Sequence, residues 1–256
     1  MKKSFRRESV GGPTGLDILV CEPLAERGVP HGFTSRSRRW NGEEVFGARA
    51  NGARDREELA RALGLGRGVA TMRQVHGNEV RVIDDPSAEP PVCDGLATDR
   101  QGLALVVQTA DCVPLVFWDE RQNVVAAVHA GWRGALAAVP SRALTCLEER
   151  FGSQADSVHV AMGPAIGACC YEVGDEVVEA FGERFPYAAE LFTPGARGKK
   201  HLDLTQANTR QLIEAGVPND RIYASGMCTS CENGGFYSYR KEGTGVGRLM
   251  GVIGAR

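Results

Sequence analysis

The chain has 256 residues, 43% of them hydrophobic, which is enough for a substantial buried core and gives no sign of a disordered protein. Lys and Arg number 30 against 32 Asp and Glu, for a net charge of -2. That balance provides no general attraction to nucleic acid or to an anionic membrane and points to a small polar substrate.

At the N-terminus, Met1-Lys2-Lys3-Ser4-Phe5-Arg6-Arg7 imitates the basic end of an export signal, but Glu8, Gly11, Gly12, Pro13 and Asp17 interrupt the apolar segment that export requires. No later apolar run is long enough to span a bilayer. The expectation is a cytoplasmic protein built as one continuous domain over 1–256, with residues 1–14 as an N-terminal extension.

Short segments rich in Val, Ile and Leu predict buried strands at 16–20, 80–83, 103–107, 113–118, 124–128, 158–162 and 222–224. A capping-box pattern, Asp55 with Glu58, predicts a helix to about Leu63 with Gly64 as its stop. A helix after Gly134 meets Pro140, which removes an interior hydrogen bond, so it should kink there or restart near Ser141. Further helices are expected at 175–185 and at 205–215, the latter stopped by Gly216, while 86–91 and 193–200 read as loops. Strands cluster between residues 68 and 130 and helices in the second half, so the order is mixed α+β rather than a regular βαβ alternation.

Three residues stand where apolar segments break into small-residue turns: His76 in Gln74-Val75-His76-Gly77, Cys112 in Ala110-Asp111-Cys112, and His129 in Val128-His129-Ala130-Gly131-Trp132-Arg133-Gly134. Two imidazole nitrogens and one sulfur suit zinc and leave a fourth position open for water or substrate, as in a catalytic site. Each also has an ordinary reading: a turn residue, a small core hydrophobe and a hydrogen-bonded histidine. Their spacing matches no local zinc motif. Gly131 and Gly134 either let the backbone pass close to metal or substrate or simply end a strand.

The eight cysteines are scattered through the chain, unlike a secreted disulfide framework, and most are expected to be reduced. Cys228-Thr229-Ser230-Cys231 has the spacing of half a zinc site, with no second matching pair to complete it. Cys169 and Cys170 are adjacent, which makes a strain-free disulfide between them implausible and leaves packing as their expected role.

The chain resembles the laccase-domain family, which also carries the names multicopper polyphenol oxidase and purine nucleoside phosphorylase. The resemblance covers nearly everything after about residue 30. It rests on His31-Gly32-Phe33-Thr34-Ser35-Arg36, Gln74-Val75-His76-Gly77, Asp94-Gly95-Leu96-Ala97-Thr98-Asp99, Ala110-Asp111-Cys112-Val113-Pro114-Leu115 and His129-Ala130-Gly131-Trp132-Arg133-Gly134, followed by Gly163-Pro164-Ala165-Ile166-Gly167, Tyr171-Glu172-Val173-Gly174 and Cys228-Thr229. The resemblance implies an α+β fold with mixed sheets sandwiched between helices in α/β/β/α layers, and a zinc held by His76, Cys112 and His129. It also implies phosphorolysis of adenosine, inosine and methylthioadenosine, with adenosine deamination as a related activity. Ala135 stands where the family commonly has threonine, and the closing glycine-arginine element is spread over Thr244-Gly245-Val246-Gly247-Arg248; both departures concern substrate preference more than metal binding.

Phosphorolysis requires an anion-binding group. Arg36 is the first candidate for phosphate, because a guanidinium fork matches its oxygens and the family carries an arginine in this block; a solvated charge in the run Arg36, Arg38, Arg39 is the alternative. Arg133, beside His129, is the second, unless it braces a turn. Asp111 and Glu172 could move protons, though loop hydrogen bonding suits both better. Phe236-Tyr237-Ser238-Tyr239-Arg240 could wall a purine ring or belong to the core.

The expected partners are a purine nucleoside and phosphate, with neither nucleic acid nor membrane, and a monomer with a homodimer as the alternative. Three other functions compete. One is a hydrolase with Cys112 as nucleophile and His129 as its base, a reading that resembles proposals for peptidoglycan-editing relatives. Another is copper-dependent phenol oxidation, for which five histidines are too few to supply a trinuclear centre. The third is a noncatalytic binding protein that retains the pocket.

Overall fold

The computed structural model describes residues 4–10, 16–36, 53–86 and 89–256. In chain order its first half runs β1 (Phe5–Val10), β2 (Leu16–Cys21), α1 (Glu22–Glu26), β3 (His31–Thr34), α2 (Ala53–Ala62), β4 (Gly68–Ala70), β5 (Val80–Val82), β6 (Gly95–Thr98), β7 (Leu103–Thr109), β8 (Val113–Asp119) and β9 (Val124–Ala130). The second half runs α3 (Trp132–Leu136), α4 (Val139–Phe151), β10 (Val158–Met162), β11 (Glu172–Val173), α5 (Asp175–Arg184), β12 (Phe192–Pro194), β13 (Lys200–Leu202), α6 (Leu204–Glu214), β14 (Ile222–Ala224), α7 (Tyr239–Glu242) and β15 (Leu249–Gly254).

Two six-stranded mixed sheets carry the fold, ordered β1-β2-β3-β15-β7-β4 and β14-β10-β8-β9-β6-β5, with a small antiparallel sheet β11-β13-β12 beside them. Because successive strand residues face opposite sides, β8 feeds two cores. Val116 and Trp118 join Leu105, Val107 and Val252 of the first sheet, so one core lies between the sheets. Leu115 and Phe117 join Val139, Ala143 and Leu147 of α4 and Ala207 and Leu212 of α6, so the second lies between sheet and helices. Burial on both faces is why 113–119 and 124–130 are almost continuously apolar. Phe117 is fully buried, and its truncation to Ala should cost about 3–5 kcal/mol.

The mixed α+β class is as expected, and each of the seven expected strands is present. Several boundaries and elements differ. Residues 5–10 of the expected extension are β1, paired antiparallel with β2 from Phe5 opposite Cys21 to Val10 opposite Leu16. The helix after Gly134 breaks at Ala138, whose φ is 58°, two residues before the proline. Pro140 then occupies the first turn of α4, where its missing N–H is no loss. The helix expected to be capped by Asp55 already begins at Ala53. Part of the loop expected at 193–200 pairs as β12 and β13. Among the described residues, no helix is long and apolar enough to cross a membrane.

Candidate active site

His76 lies in the loop between β4 and β5, with a left-handed φ of 62°. That loop is fastened at three points. The Asp94 carboxylate accepts hydrogen bonds from the backbone N–H groups of Val75, His76 and Gly77 at 3.2, 2.9 and 2.7 Å. The Gln74 amide donates to the Gln108 carbonyl and accepts from its N–H, while Asn78 donates to the Ala137 carbonyl. Such pinning holds a strained, exposed imidazole in one place.

Cys112 follows Asp111, whose φ is 90°, in the turn from β7 to β8. The Asp111 carboxylate accepts from the Thr229 hydroxyl and from the Arg240 N–H, both at 2.6 Å, so it fixes the turn instead of handling protons. His129 is the penultimate residue of β9 and is 2% exposed. Its Nδ1 donates to Asp94 at 2.8 Å, which turns Nε2 toward the other two residues.

The three side chains converge. Cys112 Sγ lies 4.0 Å from His76 Nε2, the two imidazole rings are 4.8 Å apart at 79°, and one donor atom from each residue lies within 4.8 Å of the others. Atoms bound about 2.0–2.3 Å from a shared tetrahedral ion would be about 3.4–3.8 Å apart, so small side-chain shifts suffice for two nitrogens and a sulfur to hold one. Gly131 makes room for this: a Cβ there would come within 2.9 Å of His76 Cδ2 and 3.0 Å of Cys112 Sγ.

Electrostatics agree with the geometry. Burial raises the Cys112 thiol, but hydrogen bonding to His129 and His76 outweighs it and leaves the pKa at about 6. Burial lowers His129, and the hydrogen bonds to Asp94 and Cys112 outweigh that and carry it up to about 9. Asp94 is held below the carboxylate range despite burial, by His129 and the Gly77 N–H. The pair Cys112 and His129 is therefore thiolate and imidazolium near neutrality when no metal is bound.

A cavity of about 670 Å³ opens over this cluster. Its walls include Arg133, Arg240 and Arg248, with Tyr171, Tyr239 and Trp132. Arg133 lies over the Trp132 ring at 4.2 Å and Arg240 over Tyr171 at 5.1 Å. Arg36, the first candidate for phosphate, is not brought to this cavity. Its guanidinium pairs with Glu242 at 2.8 Å, donates to the Asn233 carbonyl and lies over Tyr237 at 4.6 Å; Arg38 and Arg39 lie outside the described residues. Glu172 is exposed and contributes its carbonyl to Arg240. Of the aromatic run, Phe236 and Tyr237 are core residues and Tyr239 lines the cavity.

Three features lay beyond sequence reasoning. Asp94 stood in a quoted block without a role, although an acid directly before a buried Gly-led strand is a signal. Arg240 and Arg248, named above only within the aromatic run and the closing glycine-arginine element, lie far along the chain from the histidines, and no spacing assigned them to the same cavity. Cys169 and Cys170, expected to pack as core residues, instead meet Cys228 and Cys231, so the half-site does have its second pair in space.

Fold and cluster together define a mixed α+β protein with two imidazoles and a thiol at the floor of a cationic cavity. Residues 40–256 match the family described as multi-copper polyphenol oxidoreductase laccase, and the chain belongs to that family. Purine nucleoside phosphorylase YlmD of Geobacillus stearothermophilus is 37% identical over 193 residues, covering 72% of this chain and 70% of that protein. The purine nucleoside phosphorylase of Deinococcus radiodurans is 34% identical over 251 residues, 94% of this chain and 93% of its own. Adenosine deaminase RL5, from an unknown prokaryotic organism, is 40% identical over 190 residues, 70% and 71% of the two chains. The crystal structure of YlmD from Geobacillus stearothermophilus superposes with a TM-score of 0.86 at 31% identity over 99% of both chains.

Proposed function

We propose that this protein is a zinc-dependent purine nucleoside phosphorylase acting on adenosine, inosine and methylthioadenosine, with adenosine deamination as a second activity of the same cavity. The observation that carries the reading is the convergence of His76, Cys112 and His129 beneath three arginines. The names of the relatives supply the substrate class.

In phosphorolysis a phosphate oxygen bonds to C1′ of the sugar while the C1′–N9 bond breaks and its electron pair passes to the purine. The charge that develops is oxocarbenium-like on the sugar and negative on the base. Arg133, Arg240 and Arg248 bind and orient the phosphate. The Tyr171 hydroxyl lines the cavity and, raised to about 12 by burial and the nearby Cys112, stays protonated, so it can hydrogen-bond the departing purine, which takes its proton from water. His76, Cys112 and His129 would hold the zinc, and when bound it supplies an open position that polarises oxygen.

Zinc is favoured over an oxidising copper centre by the placement of the histidines. His31 is bonded to the Val29 carbonyl and the Cys21 N–H, His159 to Tyr223 and Arg221, and His201 to the Ala168 carbonyl, which leaves only two of the five for the cavity. Three coppers need many more.

The test offers inosine and adenosine, with and without phosphate, to metal-replete protein and follows the products by chromatography. Hypoxanthine released from inosine only when phosphate is present is the expected result; if neither nucleoside is consumed, the reading fails. A second reading, a hydrolase with Cys112 as nucleophile and His129 as base, is favoured by the thiolate character of Cys112. Turnover that survives a chelator but not thiol alkylation would select it.

A further inference from the structure

Cys169 and Cys170 lie in the loop after β10, and Cys228 and Cys231 in the loop after β14. The two loops run side by side, joined by a parallel bridge between Ala165 and Cys228 and by hydrogen bonds from the Thr229 N–H to the Ala165 carbonyl and from the Ala165 N–H to the Met227 carbonyl. This pairing gathers four thiols that are remote in sequence. Cys231 Sγ is 3.4 Å from both Cys169 Sγ and Cys170 Sγ, and all four sulfurs lie within 4.8 Å of one another.

We infer that Cys169, Cys170, Cys228 and Cys231 form a second metal site, separate from the cavity cluster, that binds a single tetrahedral zinc ion and staples these two loops together. Four thiolates about 2.3 Å from zinc stand about 3.8 Å apart, a spacing that lies between the 3.4 Å contacts of Cys231 and the 4.8 Å within which all four sulfurs fall. Cys228 and Cys231 have the two-residue spacing of a zinc knuckle, and the Gly167 N–H donates to Cys228 Sγ at 3.2 Å, as backbone donors do to metal-bound thiolates. A Cβ at Gly167 would crowd the cluster, 3.2 Å from Cys169 Sγ and 3.3 Å from Cys228 Cβ.

Four sulfurs this close cannot all ionise without a cation among them, and four protein ligands leave no open position. The site is therefore structural, whereas the cavity cluster keeps a vacancy. It has a consequence for the cavity all the same. Thr229, between Cys228 and Cys231, donates to the Asp111 carboxylate next to Cys112, and Tyr171, next to Cys170, lines the cavity wall. Stapling the two loops holds both groups in register.

The test is elemental analysis of the full-length protein after zinc loading and desalting, in the native sequence and as Cys112→Ala and Cys231→Ser. The expected result is two zinc per chain in the native protein and one in each variant. Cobalt substitution of Cys112→Ala should then give the intense near-ultraviolet absorption of a four-thiolate tetrahedral site. Cys112→Ala keeps the inference testable if Cys231→Ser fails to fold. One zinc in the native protein and none in Cys112→Ala would overturn it while sparing the cavity site; one zinc in both would support it and remove the cavity metal instead. A disulfide joining Cys231 to Cys169 or Cys170 in freshly purified, reduced protein, detected by mass spectrometry, would also overturn it.

Discussion

The Asp94 carboxylate lies 2.8 Å from Nδ1 of His129 and, with the same two oxygens, gathers the N–H groups of residues 75, 76 and 77. One fully buried acid thus sets both the tautomer of one imidazole and the position of the other. Because an amide can neither accept all four hydrogen bonds nor carry the charge that steadies His129, Asp94→Asn should weaken zinc binding by about 10–100-fold. Competition with a chromophoric chelator measures this, and unchanged affinity would mean that the loop holds His76 without Asp94.

Gly131→Ala should disrupt the cluster, since the new methyl would press on His76 and Cys112 together. We expect turnover to fall more than about tenfold, equivalent to about 1.4 kcal/mol, with metal content reduced in parallel. Gly182 in α5 is the control. Nothing lies within 4 Å of a Cβ placed there, so Gly182→Ala should stabilise the protein by roughly 0.5–1 kcal/mol without touching activity, as urea denaturation would register.

The two arginine assignments separate cleanly. Arg248→Ala should raise the KM for phosphate about tenfold or more, since a charge-assisted hydrogen bond contributes about 1.5–3 kcal/mol. Arg36→Ala should leave that KM alone and cost roughly 1 kcal/mol of stability through loss of the partly exposed pair with Glu242. The reverse outcome in phosphate titrations would return Arg36 to the substrate site.

Acid should destabilise the fold by way of His31 and His159. His31 uses both ring nitrogens, donating from Nδ1 to the Val29 carbonyl and accepting the Cys21 N–H at Nε2, so it must stay neutral. Burial lowers it, and burial with the Arg221 charge lowers His159. The unfolded chain therefore binds these protons first as pH drops through about 6.5, and each group removes up to about 1.4 kcal/mol per pH unit below that. Denaturation midpoints of metal-stripped Cys112→Ala protein should fall on acidification below about pH 6.5. A midpoint that holds steady below the imidazole range would show that neither histidine is linked to folding.

Much was legible in the chain itself. Strands such as 113–119 announce themselves because both their faces are buried, and α6 begins at an Asp203 cap that accepts from the Gln206 N–H, within a residue of where composition put it. The three side chains that converge beneath the cavity were also conspicuous, since a His or Cys at the edge of an apolar strand beside glycine stands out chemically. What the chain could not disclose is who pairs with whom. The Gly-containing β15 has weak strand character of its own and is defined by lying between β3 and β7, nearly the whole length of the protein away from the first of these. Arg36 sits in a motif and still points to Glu242, and four cysteines with no common spacing share one small volume. Local residue chemistry determines which segments become strands and helices and which atoms can bind a metal. Only sheet pairing decides which of those atoms meet, because contacts across dozens of residues depend on closing the chain and leave no periodic trace along it.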